Sequence, residues 1–276
     1  MTRLADDFVF SQTSLQDYVD CARRFELRYL LKVQYPAVLA EPLLEFERHT
    51  AMGAAFHRLV QQHMIGIPAE RLAQGIQDEP LRRWWEHYRA FDLTTLPSAH
   101  RYPEIKLFAR LGKYRLVAQV DLLAVDVGRR LVIVDWKTSL TRPNAARLKK
   151  RLQTIIYRYV LVESGAFLND GQAVAPEQVE MLYWFAEYPH EPVKFNYDRD
   201  AHREARVYLE TLVQEIEARE VFELTRDLRY CRYCQYRSLC ERGAVAGDFA
   251  EIEEATSVPE AVSSGFDFDQ IAEVEF

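Results

Sequence analysis

Residues 130–140, RLVIVDWKTSL, begin as a core strand and end as chemistry. Leu131 to Val134 are four consecutive branched apolar residues, the composition of a strand covered on both faces. The run then closes on Asp135 and Lys137. Side chains alternate along a strand, so these two point to one face and Trp136 to the other. An unpaired buried charge is costly. Two readings meet that cost: the acid and the ammonium neutralise each other at the strand end, or the acid holds a metal beside an amine that activates water.

Outward from this stretch, the preceding run YRLVAQVDLLAVD places Asp121 in a second apolar strand, fourteen residues before Asp135. The turn RLGKYRL around Gly112 joins two alternating runs as a hairpin does. Strands are expected near 102–110, 113–127, 131–138, 179–187 and 192–197. Apolar spacing of 3.6 residues predicts helices near 14–32, 50–64, 78–91, 144–163 and 198–219. Asn144 caps the fourth of these after Pro143. There is no internal repeat. The expected architecture is an α/β core built on a three-stranded meander, with helical decoration at its N-terminal side.

If the meander strands are neighbours, Asp121 and Asp135 lie within a few ångströms of each other. Two such carboxylates repel unless a proton or cation sits between them, and a hard divalent cation is the common solution. Asp126 reads as an ordinary strand-end acid. Downstream, LKKRLQTIIYRYVL carries Gln153 and Tyr157 four apart on one helix face, with Lys150 a turn earlier. Leu148, Leu152, Ile155 and Tyr159 form the apolar stripe beside them. Upstream, MGAAFHRLVQQHM sets His57 among small and apolar residues, where core packing and ligation are both open.

Composition frames these candidates. A chain of 276 residues can bury a sizeable core. No apolar run approaches the roughly 18 residues of a membrane span. The start MTRLADDFVFSQTS lacks a basic-then-apolar leader. A soluble, cytoplasmic protein without a membrane partner is expected. The net charge is −7, but residues 243–276 contain nine acids and no Lys or Arg, leaving 35 bases against 33 acids in residues 1–242. A single domain over 1–246, followed by an acidic, disordered tail over 247–276, is the expected organisation. Between Arg142 and Val162 stand Arg142, Arg147, Lys149, Lys150, Arg151 and Arg158 without an acid, either a solvated face or a phosphate contact.

Cys21 stands alone, whereas Cys231, Cys234 and Cys240 form a C-x2-C-x5-C cluster in YCRYCQYRSLC. In a reducing compartment this spacing favours metal ligation over disulfides, with zinc and an iron–sulfur cluster both open.

Together, Gly53-x3-His57, Glu104, Asp121, Asp135-x-Lys137 and Gln153-x3-Tyr157 resemble the RecB-like branch of the PD-(D/E)XK nuclease superfamily, over about 100 residues. The phrase SLQDYVDCARRFELRYL, with one cysteine before the core and three after it, is similar to the iron–sulfur subgroup. That subgroup includes CRISPR-associated adaptation nucleases and the nuclease domains of AddAB-type helicase-nucleases. One departure is Ala118, where the branch usually has Gly; a slight change of packing is expected.

The resemblance implies a restriction-endonuclease-like core, a mixed central sheet flanked by helices, closed by a cysteine-cluster clasp at the C-terminal side. It implies a metal-dependent DNA nuclease hydrolysing phosphodiester bonds, a single-strand exonuclease in DNA repair, recombination or CRISPR adaptation. A helicase or a CRISPR adaptation protein would be its partner. No G-x4-G-K-[ST] loop occurs, so these residues carry no P-loop motor. One or two Mg²⁺ or Mn²⁺ ions would be held by His57, Asp121, Asp135 and the backbone carbonyl of Trp136. Lys137 would orient or deprotonate water, Gln153 and Tyr157 would position Lys137 or the DNA, and Glu104 would brace the site. Cys21, Cys231, Cys234 and Cys240 would hold a [4Fe–4S] cluster, with zinc as the alternative. Lys149, Lys150, Arg151, Arg226, Arg229, Arg232 and Arg237 would line a phosphate path. Tyr230, Tyr233 and Tyr236 would stack single-stranded bases or pack around the cluster. The competing reading is a catalytically silent DNA-binding or scaffold subunit; intact Asp121, Asp135 and Lys137 weigh against it.

Overall fold

The computed structural model describes residues 4–34, 41–232 and 234–243, and in residues 41–47 the backbone alone. Its first strand, β1 (Val9–Ser11), is too short to show a period in the sequence. Ser11 then caps α1 (Gln12–Asp20): its side chain accepts the N–H of Ser14, and the Ser14 side chain accepts the N–H of Ser11. Two of the helix's orphan donors are thereby satisfied. The single helix expected over 14–32 is broken. Cys21 is extended, with φ −161° and ψ 107°, separating α1 from α2 (Ala22–Phe25) and a π-helical turn over Glu26–Leu30.

Three helices follow: α3 (Glu41–Met64), which starts well before the expected residue 50, α4 (Ala69–Ala73) and α5 (Glu79–Ala90). The meander is β2 (His100–Leu111), β3 (Tyr114–Asp126) and β4 (Arg130–Lys137). The helix expected over 144–163 is divided into α6 (Ala145–Lys150) and α7 (Leu152–Ser164) by an extended Arg151. Asn144 caps α6 as expected, and the Thr154 hydroxyl donates to the Leu148 carbonyl at 2.6 Å, closing the helix from across the break. Lys149 and Lys150 therefore lie on α6, and the expectation that Lys150 shares a face with Gln153 one turn away does not hold. The described elements end with β5 (Val179–Phe185), β6 (Val193–Asn196) and α8 (Arg199–Ala218).

The six strands form one mixed sheet. β2 pairs antiparallel with β3 from His100↔Val125 to Leu111↔Tyr114. The opposite edge of β3 is shared, with β1 parallel to residues 115–117 and β4 antiparallel to residues 122–126. Residues 118–121 consequently have no strand partner on that edge among the described residues. β5 runs parallel to β4 after a crossover that carries α6 and α7, and β6 completes the sheet.

Helices α1, α7 and α8 cover one face, packing on Leu116, Ala118, Val120, Leu123, Val125 and Ile133. On the other, Phe56 and Val60 of α3 and Trp84, Trp85 and Tyr88 of α5 pack on Leu122, Ala124, Val132, Val134 and Trp136. β4 is thus buried on both faces, as its composition required, each such side chain contributing about 1.5–3 kcal/mol. Ala118 is fully buried in the first layer. In β3 the residues facing that layer change phase between Val120 and Leu123, so the alternation slips at Asp121. In β2 the same slip falls between Tyr102 and Ile105, around Glu104. The α3–α5 layer covers the sheet on one side of this slip.

After α8 the chain returns to its own beginning. The Arg23 N–H donates to the Glu223 carbonyl at 3.2 Å, Phe222 stacks on Phe25 at 6.1 Å, and the Tyr236 hydroxyl donates to the Val33 carbonyl at 3.0 Å. Tyr233 and the expected acidic tail lie outside the described residues. Among the described residues no helix is long and apolar enough to cross a membrane.

Candidate active site

The interrupted ladder positions the charged groups. Pairing Leu122↔Val134, carried one step on, sets Asp121 against Asp135; the flanking pairs Pro103↔Leu122 and Ile105↔Val120 set Glu104 against Asp121. Three carboxylates therefore occupy one level, one on each of β2, β3 and β4. In place of a ladder bond, the Trp136 N–H donates to Asp121 Oδ2 at 2.8 Å. His57 of α3 brings Nδ1 to 3.4 Å from Asp121 Oδ1. The ligand atoms of His57, Glu104 and Asp121 all lie within 4.8 Å of one another. One imidazole nitrogen and two carboxylates suit a hard divalent cation.

Glu104 reaches this group from a left-handed backbone, φ +53°. Its Oε2 accepts from Gln119 Nε2 at 2.8 Å. Gly53 allows α3 to approach, since a Cβ there would stand 3.0 Å from Thr138 Oγ1, just beyond Lys137. His57 follows one turn later on the same helix.

Asp135 is fully buried. Lys137 Nζ lies 2.8 Å from its Oδ2, and Gln153 Nε2 donates to its Oδ1 at 2.7 Å. Alternation in β4 thus delivers the acid and ammonium to one face. Gln153 is held in turn: its Nε2 is 3.3 Å from the Tyr157 hydroxyl, and its Oε1 accepts from the Tyr183 hydroxyl at 3.4 Å. Tyr183 also bonds Thr154 Oγ1 at 2.7 Å, and its ring lies 5.7 Å from Lys137 Nζ. Burial, reinforced by the charge of Asp135, pushes the Tyr183 hydroxyl well above the ordinary phenol range, keeping it a donor.

Glu104, expected as a brace, stands in a tight group with His57 and Asp121, and Asp135 engages Lys137 and Gln153. Tyr183 was not legible as a site residue. Its signal lay in the parallel pairing Asp135↔Tyr183, which joins positions 48 residues apart.

Several bases of the acid-free run over 142–162 and of the expected phosphate path have other roles. Arg158 is buried, donating to the Asn196 carbonyl at 3.0 Å and lying over the Tyr197 ring at 4.6 Å. Arg142 pairs with Glu191 and Arg229 with Asp227, while Arg237 is buried. Lys149, Lys150, Arg226 and Arg232 are exposed. Tyr236 is buried with its hydroxyl engaged, which leaves it packing the cysteine segment and unable to stack on a base.

The extended Cys21 is near enough to Cys231, Cys234 and Cys240 for their charges to interact, and none of the four is in a disulfide. Burial, then the charge of Cys21, raises the Cys231 and Cys240 thiols. Burial pushes Cys234 up to about 11 against the pull of Arg24. Arg24 is itself tied to Asp17 at 2.8 Å and Asp20 at 2.6 Å.

The description of the PD-(D/E)XK nuclease superfamily fits residues 9–241 in a comparison with family profiles. Two solved structures are similar in part. SSO0001 shares 13% identity over 86% of this chain and 87% of its own, with a TM-score of 0.41. A candidate exonuclease from Eubacterium rectale shares 11% identity over 80% of this chain and 85% of its own, with a TM-score of 0.48. No curated protein matches the chain.

Proposed function

This chain belongs to the PD-(D/E)XK nuclease superfamily, and from that premise we propose that it is a divalent-metal-dependent DNA nuclease of the RecB-like branch. We take it as a single-strand exonuclease of DNA repair, recombination or CRISPR adaptation, working beside a helicase or an adaptation protein. The carrying observation is the convergence of His57, Glu104 and Asp121 within 4.8 Å, beside the Asp135–Lys137 pair.

The donor set fits Mg²⁺ or Mn²⁺, and such an ion, when bound, supplies charge relief at the phosphate and acidifies the attacking water. His57, Glu104 and Asp121 would hold it, with Asp135 and the Trp136 carbonyl as the neighbouring oxygens. The Trp136 N–H points at Asp121, and the N–H and C=O of one residue leave a strand on the same side, so its carbonyl faces the same gap. Lys137 orients the water and handles its proton. Asp135 anchors the ammonium, Gln153 anchors Asp135, and Tyr157 and Tyr183 anchor Gln153, so the base is held in place before substrate arrives.

The four cysteines suit a [4Fe–4S] cluster, with zinc the alternative. Thiols whose burial resists ionisation need a thiophilic cation to offset that cost. The same reading takes 1–246 as one nuclease domain and 247–276 as an acidic appendage.

The test is cleavage of end-labelled single-stranded and duplex DNA by the purified protein with Mg²⁺, Mn²⁺ or EDTA. Stepwise shortening of the single strand, dependent on metal, is expected. Intact DNA in the presence of fully metallated protein would overturn the reading.

A further inference from the structure

Apart from Gln119, which donates to Glu104, the open face of the β2–β3 hairpin has no role in the site described above. Beyond Glu104 and Asp121, alternate residues of both strands turn outward: Lys106, Phe108 and Arg110 from β2, and Arg115, Val117 and Gln119 from β3. The register joins them as rungs, Lys106↔Gln119, Phe108↔Val117 and Arg110↔Arg115. At the rise of a strand, Lys106, Phe108 and Arg110 stand roughly 7, 14 and 20 Å from Glu104. A single row thus leads from the carboxylates to a base, an aromatic ring and a pair of bases.

Two features mark this row as a ligand surface. Phe108 is 49% exposed, while Leu107 and Ala109 beside it are buried in the core. Arg110 and Arg115 also face each other directly, an arrangement that destabilises an antiparallel pair. Among the described residues no carboxylate pairs with Lys106, Arg110 or Arg115, whereas Lys113 at the turn between the strands is bound to Glu217 and lies 3.7 Å from Asp6. The fold neutralises the base beside the packed layer and leaves three open on the other face.

We propose that this face is a track for one strand of DNA leading into the site, with phosphates along Lys106, Arg110 and Arg115 and one base stacked on Phe108. The proposal rests on the nuclease reading of the site and names how its substrate is presented. A polyanion offsets the Arg110–Arg115 repulsion. Bases inside a duplex are stacked on one another, so only an unpaired strand offers Phe108 a free face.

The experiment uses the full chain and a fluorescent oligothymidylate, with a duplex for comparison and Ca²⁺ replacing Mn²⁺ so that the probe survives. Phe108→Ala should weaken single-strand binding about ten-fold and leave duplex binding unchanged. The double variant Arg110→Ala, Arg115→Ala should flatten the dependence of log affinity on log salt by roughly 1.4, about 0.7 for each base. Arg203→Ala, an exposed base on α8 in the opposite layer, controls for net charge and should bind as wild type. Unchanged affinity and salt slope in the Phe108 and arginine variants would overturn the track, and equal losses on duplex and single strand would overturn its selection of unpaired DNA. Wild-type cleavage with Mn²⁺ is read separately: a protein that binds through these residues yet never cuts would defeat the nuclease reading and leave the track standing.

Discussion

Glu104 lies across from Asp121 at the one unbridged step of the β2–β3 ladder, and it does so with a left-handed backbone at φ +53°. A non-glycine residue in that region costs on the order of 1–2 kcal/mol. Among the described strand residues this left-handed backbone falls on the residue whose carboxylate completes the group with His57 and Asp121. Backbone strain and carboxylate repulsion are thus concentrated at one level of the sheet, where a bound cation would offset the second.

Glycine at this position relieves both. Glu104→Gly should raise the metal-free unfolding free energy by about 1 kcal/mol, the strain relief exceeding the entropic cost of glycine in a strand. Its melting temperature should respond little to Mn²⁺, whereas the wild type should gain stability from the ion. Melting curves with EDTA and with Mn²⁺ check both halves. A variant less stable than wild type in EDTA would mean that the left-handed turn is not strained.

The Asp135–Lys137 pair calls for a paired substitution. Because Asp135 is fully buried, Lys137→Met leaves its carboxylate facing apolar surroundings, at a cost of about 3–5 kcal/mol. Lost activity in that variant alone would not separate chemistry from folding. Adding Asp135→Asn keeps an acceptor for Gln153 and removes the charge. The double variant should recover most of the stability while cleavage stays at least about 100-fold down. Recovery of cleavage along with stability would remove Lys137 from the chemistry.

Tyr183 carries a prediction about alkaline pH. Burial raises its folded pKa, so its contribution to stability is fully present below the unfolded value near 10 and is lost as pH rises beyond it toward the folded value. Tyr183→Phe should therefore make the alkaline limb of the stability profile shallower. The same variant loses the hydroxyl that bonds Gln153 and Thr154, and should be about 1–2 kcal/mol less stable at neutral pH. Denaturant titrations at neutral and alkaline pH measure both, and an unchanged alkaline slope would show that the phenol ionises freely in the fold.

The meander was legible because its signals are local. Alternation placed β2, β3 and β4 within a few residues; the shared face of Asp135 and Lys137 followed from strand period, and the closeness of Asp121 to Asp135 from the pairing of neighbouring strands. The helix breaks at Cys21 and Arg151 were not legible, because neither position carries Gly or Pro and the apolar period runs through both. Partners distant in sequence set them: Cys21 turns its backbone where the C-terminal segment arrives, and Thr154 closes α6 from beyond the break. The place of Glu104 depends on a backbone sign that no hydrophobic pattern encodes. Tyr183 depends on a strand pairing made only after the crossover is folded.

The cysteine segment tests whether the clasp is metal or packing. Phe222 on Phe25, Glu223 on Arg23 and Tyr236 on Val33 already join the two ends of the described chain without any cysteine. Cys21→Ser would remove one ligand while leaving those contacts in place. If Cys21 is a ligand, iron and sulfide content should fall sharply, because the binding free energy of a metal centre is shared with folding. The melting temperature should fall by about 10 °C, since each kcal/mol is worth about 2–4 °C in a domain of this size. Limited proteolysis should then cut first within residues 219–243. Full iron content in the serine variant would remove Cys21 from the ligand set, and zinc in place of iron in the wild type would select the alternative metal. Loss of iron with an unchanged melting temperature would mean that the packing contacts alone hold the C-terminal segment against α1 and α2.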